Sequence, residues 1–147
     1  MTIIQAQLEH LEVVVPLFDA YRQFYRKASD KEGARRFIEA RLRNGDSVLL
    51  LAMDDEEQAV GFTQCYPAFS SVRMRPIWIL NDLFVAPTAR RQGVAQALMD
   101  EAARYARHAG VIALALATEK DNDTAKALYE QLGYEQDTAF DYYELTL

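Results

Sequence analysis

The sequence is poor in the residues that build disulfides, metal centres and glycine-rich nucleotide sites. It has one cysteine, Cys65, so no disulfide can form within the chain. It has only two histidines, His10 and His108, which argues against a site built from histidine and cysteine ligands. None of its six glycines follows a G-x-G spacing, so a Rossmann fingerprint and a P-loop are both absent. We therefore expect no bound metal and no dinucleotide fold.

Basic excess and long hydrophobic runs are also missing. The 22 acidic residues outnumber the 16 basic ones and give a formal net charge of −6, which argues against a general nucleic-acid binder. The longest apolar stretch is Val111–Ala117, and a bilayer span needs roughly 20 residues. No basic and then apolar targeting segment opens the chain. The sequence thus predicts a cytoplasmic protein with neither nucleic acid nor membrane as a partner.

The composition that remains is typical of one folded domain. Half of the 147 residues are hydrophobic and 26% are charged, and no linker-like tract divides them, so we expect a single domain, 1–147. Hydrophobic periodicity predicts the order β-α-α-β-β-β-α-β-α-β-β. The predicted helices are about 11–25, 29–45, 91–109 and 124–132, and the predicted strands are 2–6, 47–53, 59–66, 76–85, 111–117, 134–136 and 142–147.

The middle of the chain indicates a parallel βαβ unit. The predicted strands 76–85 and 111–117 are apolar on both faces, which is typical of central strands covered on two sides. The helix between them predicts a right-handed parallel crossover, whereas the other strands are expected to pair antiparallel. The fold class is therefore α+β, with a mixed, mostly antiparallel central sheet of about seven strands flanked by four helices.

The junction between strand 76–85 and the following helix is a candidate anion site. The first amides of a helix have no internal partner, and Gly93 and Ala95 put no bulk over them. Such a turn favours a phosphate or pyrophosphate, and Arg90 and Arg91 add two positive charges. The residues fit equally well the start of a helix that carries two solvated arginines.

Polar residues inside buried elements are the second candidate feature. Asn81 and Asp82 interrupt the apolar strand, and a buried carboxylate is costly unless it is paired or functional. Strand alternation points the two side chains to opposite faces unless a bulge intervenes. Asp82 is thus either catalytic or structural. Tyr129 falls on the inward face of the last predicted helix, where it is either a core residue or part of a site.

Taken together, these motifs resemble a known family. The stretch from Ile79 to Gly133 is similar to the acetyl-coenzyme A core of the GNAT superfamily of N-acyltransferases, and the element order outside it fits as well. Asn81–Val85 is most similar to the small diamine and polyamine branch and to the related small histone/polyamine type. The motifs that carry the resemblance are Leu83-Phe84-Val85 with Pro87, Arg90-x-x-Gly93-x-Ala95, and Asn122, Ala125 and Tyr129 with Leu132-Gly133-Tyr134.

The resemblance implies an enzyme that transfers an acetyl group from acetyl-CoA directly to a primary amine. Backbone groups of Leu83, Phe84 and Val85 would hold the pantetheine arm and polarise the thioester carbonyl. Tyr129 would protonate the departing thiolate as general acid. The other implied cofactor-binding residues are Arg90, Arg91, Gln92, Gly93, Val94, Ala95 and Gln96 around the pyrophosphate, and Asn122.

The chain departs from the family pattern at two places that matter. The family usually has glycine where Arg91 and Ala95 stand, and we expect an extended backbone at Arg91. The polyamine branch usually has glutamate at the position of Asn81, which leaves the proton-removing group open. Asp82 is our candidate for that role, directly or through water.

Acidic and aromatic residues near the C-terminus indicate the chemical class of the acceptor substrate. Residues 129–147 contain five acids, no base and several aromatic side chains, and Tyr21 and Tyr25 would line the opposite wall, which suits a cationic amine. The candidate substrate-binding residues are Tyr25, Asn81 and Asp82, and the acceptor is a small amine, a polyamine, or a peptide lysine or N-terminus. The same aromatic residues would also suit a core or dimer contact, and the final strand predicts a homodimer. A non-catalytic acyl-CoA sensor and an aminoglycoside-type enzyme are the rival functions.

Overall fold

The computed structural model describes all 147 residues as two compact units, residues 1–116 and residues 117–147. The first unit contains every strand and three helices, and the second contains the fourth helix. No helix combines the length and the apolar character needed to cross a membrane. The strands are β1 (Thr2–Gln5), β2 (Val48–Met53), β3 (Ala59–Ser70), β4 (Arg75–Val85) and β5 (Leu114–Ala115), and the helices are α1 (Leu11–Phe24), α2 (Lys31–Asn44), α3 (Val94–His108) and α4 (Asp123–Gln131).

The sheet is mixed, as the sequence predicted. Its strands lie in the order β1-β2-β3-β4-β5, with antiparallel pairing from β1 to β4 and parallel pairing between β4 and β5. The number of helices is confirmed at four, and the α+β class is confirmed. The expectation of about seven strands was wrong, because the sheet has five.

The two missing strands are those predicted for the C-terminal segment. Residues 134–136 and 142–147 form no strand, and Tyr143 is 93% exposed. A hairpin of two short strands is marginal in water unless it packs against a further element. Alternating apolar residues therefore did not suffice to make a strand here. The predicted strand 111–117 also shrinks, to the two residues that pair with β4.

The sheet separates two layers of helices. Phe62 of β3 is fully buried in a cluster with residues of α1 and α2, such as Phe18 and Ile38. Gly61, the preceding residue of β3, lies against Val94 and Leu98 of α3. Because successive strand residues point to opposite faces, α1 and α2 cover one face and α3 covers the other. β3 and β4 are thus buried between helices, and their polar side chains are shielded from water.

Candidate functional site

The edge of β4 that faces β5 is open over half of its length. β5 pairs with β4 only as far as Ile79, although β4 continues to Val85. On the other side, the amide of Ala86 donates to the carbonyl of Val60 at 2.8 Å. In an antiparallel ladder the residues that bond to the partner alternate along the strand, so the backbone groups of Leu83 and Val85 face away from β3. They offer an extended chain a row of hydrogen-bonding positions.

The neighbouring residue Phe84 has the opposite orientation. It pairs with Phe62 in register, and by the same alternation its backbone groups are directed to β3. Of the three residues predicted to contact the cofactor through their backbone, Leu83 and Val85 therefore face the open edge, whereas Phe84 faces β3. The Phe84 side chain is buried in the core between the sheet and α1.

The turn between β4 and α3 collects free amides. The backbone is left-handed at Arg91, with φ 61°, and again at Gly93, with φ 79°. No amide from Arg91 to Gln96 donates to a backbone carbonyl, because α3 begins at Val94 and its first turn has no preceding carbonyls to bond. Six clustered N–H groups at a helix start form a concave site suited to a phosphate or pyrophosphate.

Two expectations for this turn were wrong. We expected an extended backbone at Arg91, but its φ of 61° lies in the left-handed region that favours glycine. We expected the helix to start near Arg91, but it starts at Val94. Both differences have one cause, since left-handed residues at 91 and 93 interrupt a right-handed helix.

The two arginines of the turn have different surroundings. Nε of Arg90 donates to the carbonyl of Val85 at 3.0 Å, and its guanidinium lies 5.8 Å from the ring of Phe24 and 5.7 Å from that of Phe84. Cation–π contacts of this kind stabilise by about 0.5–1 kcal/mol at exposed sites. Arg90 therefore fastens the turn to β4 and α1. Arg91 is exposed, with no carboxylate within ion-pair distance.

A β-bulge brings Asn81 and Asp82 together. The register between β3 and β4 shifts between Gln64 and Cys65, which leaves Asn81 as the extra residue of β4. Nδ2 of Asn81 donates to Oδ1 of Asp82 at 2.8 Å, and Nε2 of Gln64 donates to Oδ2 at 2.8 Å. The carboxylate is 2% exposed. The bulge thus allows both polar side chains of the predicted pair to face the same site.

The network continues from Asp82 along the sheet and to α1. The hydroxyl of Ser47 donates to Oε1 of Gln64 at 2.8 Å, and Nε2 of Gln64 also donates to the hydroxyl of Tyr66 at 3.1 Å. From α1, the hydroxyl of Tyr21 donates to the carbonyl of Asn81 at 3.3 Å. Ser47, Gln64 and Tyr66 were not among the residues predicted from the sequence. The signal for Gln64 was present, because Thr63-Gln64 interrupts its apolar strand in the same way as Asn81-Asp82.

The electrostatics of the network are those of a buried anion. Burial raises the pKa of Asp82 above its usual value, although hydrogen bonds from Asn81 and Gln64 lower it. Burial and the Asp82 charge raise the pKa of Tyr66 to about 12, and they also raise that of Tyr21. No lysine or arginine forms an ion pair with Asp82. When Asp82 is ionised, its charge therefore has no basic side chain beside it.

Aromatic rings line the α1 side of this anion. The rings of Tyr21 and Tyr25 meet edge to face at 5.2 Å, and Tyr21 also contacts the rings of Phe62 and Phe84. Tyr25, a predicted substrate-binding residue, is half-buried. A cation beside Asp82 would thus meet both a carboxylate and aromatic rings, the two features that favour an ammonium group.

The second unit holds the remaining predicted residues. Oδ1 of Asn122 accepts a hydrogen bond from the amide of Ala125 at 3.2 Å, so Asn122 caps the N-terminus of α4. Tyr129 is half-buried on α4, with its ring centroid 6.0 Å from that of Tyr134. Phe140 is 70% exposed, as are most aromatic residues of the acidic C-terminal segment, so these rings do not form a core.

The chain matches known proteins over its whole length. The family model described as "Acetyltransferase (GNAT) family" matches residues 14–134. An uncharacterized N-acetyltransferase, YhfO of Bacillus subtilis (strain 168), is 50% identical over 147 residues, covering 100% of this chain and 98% of that protein. A crystal structure of a probable acetyltransferase is 44% identical, with a TM-score of 0.94 over 100% of this chain and 98% of that one. An aminoglycoside N(6')-acetyltransferase type 1 of Acinetobacter genomosp. 13 is 28% identical over 98 residues, which cover 65% of this chain and 67% of that protein.

Proposed function

The chain belongs to the GNAT family of acetyltransferases, and on that premise we propose that it moves an acetyl group from acetyl-CoA to a small cationic primary amine. The observation that carries the proposal is the composition of one strand. β4 has the buried, uncompensated carboxylate of Asp82 and, directly after it, the open edge at Leu83 and Val85. An acceptor amine and an extended acyl donor would therefore meet along a single strand.

The donor side of the site fits acetyl-CoA, which the family uses. Acetyl-CoA would supply the acetyl group as a thioester. The outward-facing backbone groups of Leu83 and the amide of Val85 would pair with the amide-containing pantetheine arm as an added strand does, while the Val85 carbonyl accepts from Nε of Arg90. The six amides from Arg91 to Gln96 would bind the pyrophosphate, with Arg91 as the free cation beside them. Arg90, which the sequence analysis placed with these ligands, would chiefly hold the turn in place.

The acceptor side fits a small amine that carries a positive charge. Burying a carboxylate without a counter-ion is costly, and an ammonium group bound beside Asp82 would remove part of that cost. Tyr21 and Tyr25 would contact the rest of the cation. The aminoglycoside acetyltransferase among the relatives supports a small-molecule amine. A polyamine is included in the proposal through the resemblance of Asn81–Val85 to that branch.

The chemistry requires one proton to leave the acceptor before attack. A free alkylamine has a pKa of about 10.4, so it binds as the ammonium and is not nucleophilic at neutral pH. Asp82 would take that proton, and the neutral nitrogen would then attack the carbonyl carbon. The amides at the open edge would stabilise the negative charge that develops on the carbonyl oxygen. As the carbon–sulfur bond breaks, Tyr129 would give its hydroxyl proton to the thiolate, and the second proton that the nitrogen loses as the amide forms would restore that hydroxyl by way of water.

Release of free thiol in the presence of a panel of amines tests this function. We expect turnover with diamines, polyamines or aminoglycosides and none with anionic or neutral acceptors. Turnover restricted to anionic or neutral acceptors would contradict the cationic site. Coenzyme A binding with no thiol release on any amine would favour a non-catalytic sensor.

The Tyr129→Phe variant tests the general acid separately. We expect kcat to fall by at least about tenfold, within the range typical of general acid–base catalysis, while acetyl-CoA binding changes little. Tyr105→Phe, on the half-buried face of α3, is the matched control and should keep the wild-type rate. An unchanged kcat in Tyr129→Phe would remove that residue from the mechanism.

Three further expectations from the sequence accompany this function. We propose that residues 1–147 work as a single acetyltransferase domain, which the full-length match to a solved structure supports. We also propose a homodimer in the cytoplasm. Sedimentation equilibrium of the purified protein measures the oligomeric state, and fractionation of producing cells measures the location.

A further inference from the structure

The side chain of Gln64 makes three polar contacts inside the sheet. It is fully buried on β3, and its amide joins Ser47 before β2, Asp82 on β4 and Tyr66 on its own strand. A glutamine in this setting must find partners for its carbonyl oxygen and for both N–H bonds, because each one left unpaired costs about 1–3 kcal/mol. All three positions are occupied here.

The ionised carboxylate of Asp82 only accepts hydrogen bonds, so it determines which way the amide faces. Nε2 is directed to Asp82 and Tyr66, and the Ser47 hydroxyl donates to Oε1 at 2.8 Å at the other end. The reverse orientation would set the amide oxygen against the Asp82 carboxylate, with two acceptors in contact. Both Asp82 oxygens then receive an amide N–H, one from Gln64 and one from Asn81. An amide nitrogen donates but cannot accept, so this arrangement favours the ionised carboxylate.

We propose that Gln64, held at its carbonyl end by Ser47, is a positioning residue that aims the Asp82 carboxylate and keeps it ionised for the acceptor amine. This inference rests on the proposed function, in which Asp82 takes the proton from the ammonium group. Gln64 touches neither the acetyl donor nor the reacting atoms in this scheme. It acts through Asp82, and through Tyr66, whose hydroxyl oxygen it holds on the same side of the sheet.

The groups that titrate near Asp82 are few. Tyr21 faces it from α1, and Cys65 and Tyr66 approach it from β3. Burial raises the pKa of all three, to about 12 for Cys65 and Tyr66, so none of them ionises near neutral pH. A change in the pH profile between pH 4 and pH 8 is therefore assigned to Asp82 within this cluster.

The experiment compares Gln64→Met with the wild type. Methionine has a similar size and no N–H group, so the ionised carboxylate loses one hydrogen bond. The acid limb of kcat/KM should move to higher pH by about one unit, the shift that corresponds to one bond to a charged group. Ser47→Ala should move it in the same direction by less. Gln58→Met, which changes an exposed glutamine in the turn before β3, should leave the limb in place.

A second readout does not need activity. Because the folded pKa of Asp82 is raised, its ionisation lowers the stability of the fold as pH rises from about 3.9 through the folded pKa. In Gln64→Met this loss should extend to higher pH than in the wild type, as followed by urea unfolding at several pH values. If Gln64→Met does not fold, Ser47→Ala is measured in its place with the same expected direction.

The outcomes separate this inference from the function on which it rests. The role of Gln64 is supported if the acid limb of kcat/KM moves to higher pH. It is also supported if the stability window, the pH range over which ionisation of Asp82 lowers the stability, extends to higher pH. An equal fall of kcat/KM at every pH, with an unmoved stability window, would show a purely structural residue and overturn the inference. A wild type that acetylates no amine would overturn the proposed function, while the stability window would still report whether Gln64 keeps Asp82 ionised.

Discussion

Replacing Gly61 by alanine tests how closely α3 must approach the sheet. Gly61 lies on β3 opposite Val85, and the missing side chain makes room for the first turns of α3. A Cβ at this position would lie 2.9 Å from the carbonyl oxygen of Phe84, 3.2 Å from Cγ1 of Val94 and 3.4 Å from Cδ1 of Leu98. The variant thus presses on β4 and on the N-terminal turns of α3 at the same time.

The magnitude follows from these distances. Ordinary contacts between carbon atoms are about 3.5–4.0 Å, so the Val94 side chain must retreat by a few tenths of an ångström, while Leu98 stays close to ordinary contact. The Phe84 carbonyl belongs to a paired strand and cannot rotate away. Overpacking of this kind costs about 1–3 kcal/mol, while alanine gains roughly 0.5–1 kcal/mol over glycine in the backbone. We expect a net loss of about 1–2 kcal/mol in the free energy of unfolding.

Urea unfolding followed by tryptophan fluorescence measures this loss. The chain has one tryptophan, Trp78, which is 7% exposed on β4, so its emission should change on unfolding. The double variant Gly61→Ala with Val94→Ala should recover the part of the cost that comes from Val94. A loss below about 0.5 kcal/mol in Gly61→Ala, or strict additivity in the double variant, would refute this account of the contact.

Three further predictions concern other parts of the first unit. Burial and the Asp82 charge raise the pKa of Cys65 to about 12, so iodoacetamide at pH 8 should label it only after unfolding, and rapid labelling of the native protein would contradict this. Burial raises the pKa of Asp19, but hydrogen bonds from Ser29 and the Asp30 amide bring it below its usual value, so Asp19→Asn should cost about 1.5 kcal/mol at pH 7. That cost should shrink as pH falls below about 4, because the unfolded carboxyl then binds its proton first, and a cost independent of pH would contradict the assignment. Arg90→Ala should speed hydrogen exchange at the Ala89 amide, which donates to the Ala86 carbonyl at 2.9 Å in the turn before α3, whereas unchanged exchange would mean that the ring contacts of Arg90 do not hold the turn.

The arrangement of elements was predictable because it depends on local patterns. The apolar run 47–53, the strand pattern of 59–66 and the helical spacing in 91–109 identified the right elements within a few residues. The same patterns failed for 134–136 and 142–147, since apolar alternation predicts a strand only where a neighbouring backbone is available to pair with it.

The candidate site was predictable only in part. Asn81 and Asp82 stood out as polar residues in an apolar strand, but whether they face the same side depends on a bulge opposite Gln64 and Cys65, which is a property of two strands 18 residues apart. The left-handed backbone at Arg91 also could not be predicted from the local sequence, because a non-glycine residue gives no sign that the turn requires this conformation.

The open edge of β4 also has a consequence for how long the protein survives in a cell. A ligand that binds only the folded state stabilises it by an amount that grows with the logarithm of its concentration, about 2.7 kcal/mol at a hundredfold excess over Kd. A strand edge without its partner is, in addition, a template on which a second unfolded or partly folded chain can add a strand. A donor that pairs with Leu83 and Val85 would occupy that template. The supply of acyl donor would then set the abundance of the protein as well as its rate, through protection from aggregation and proteolysis.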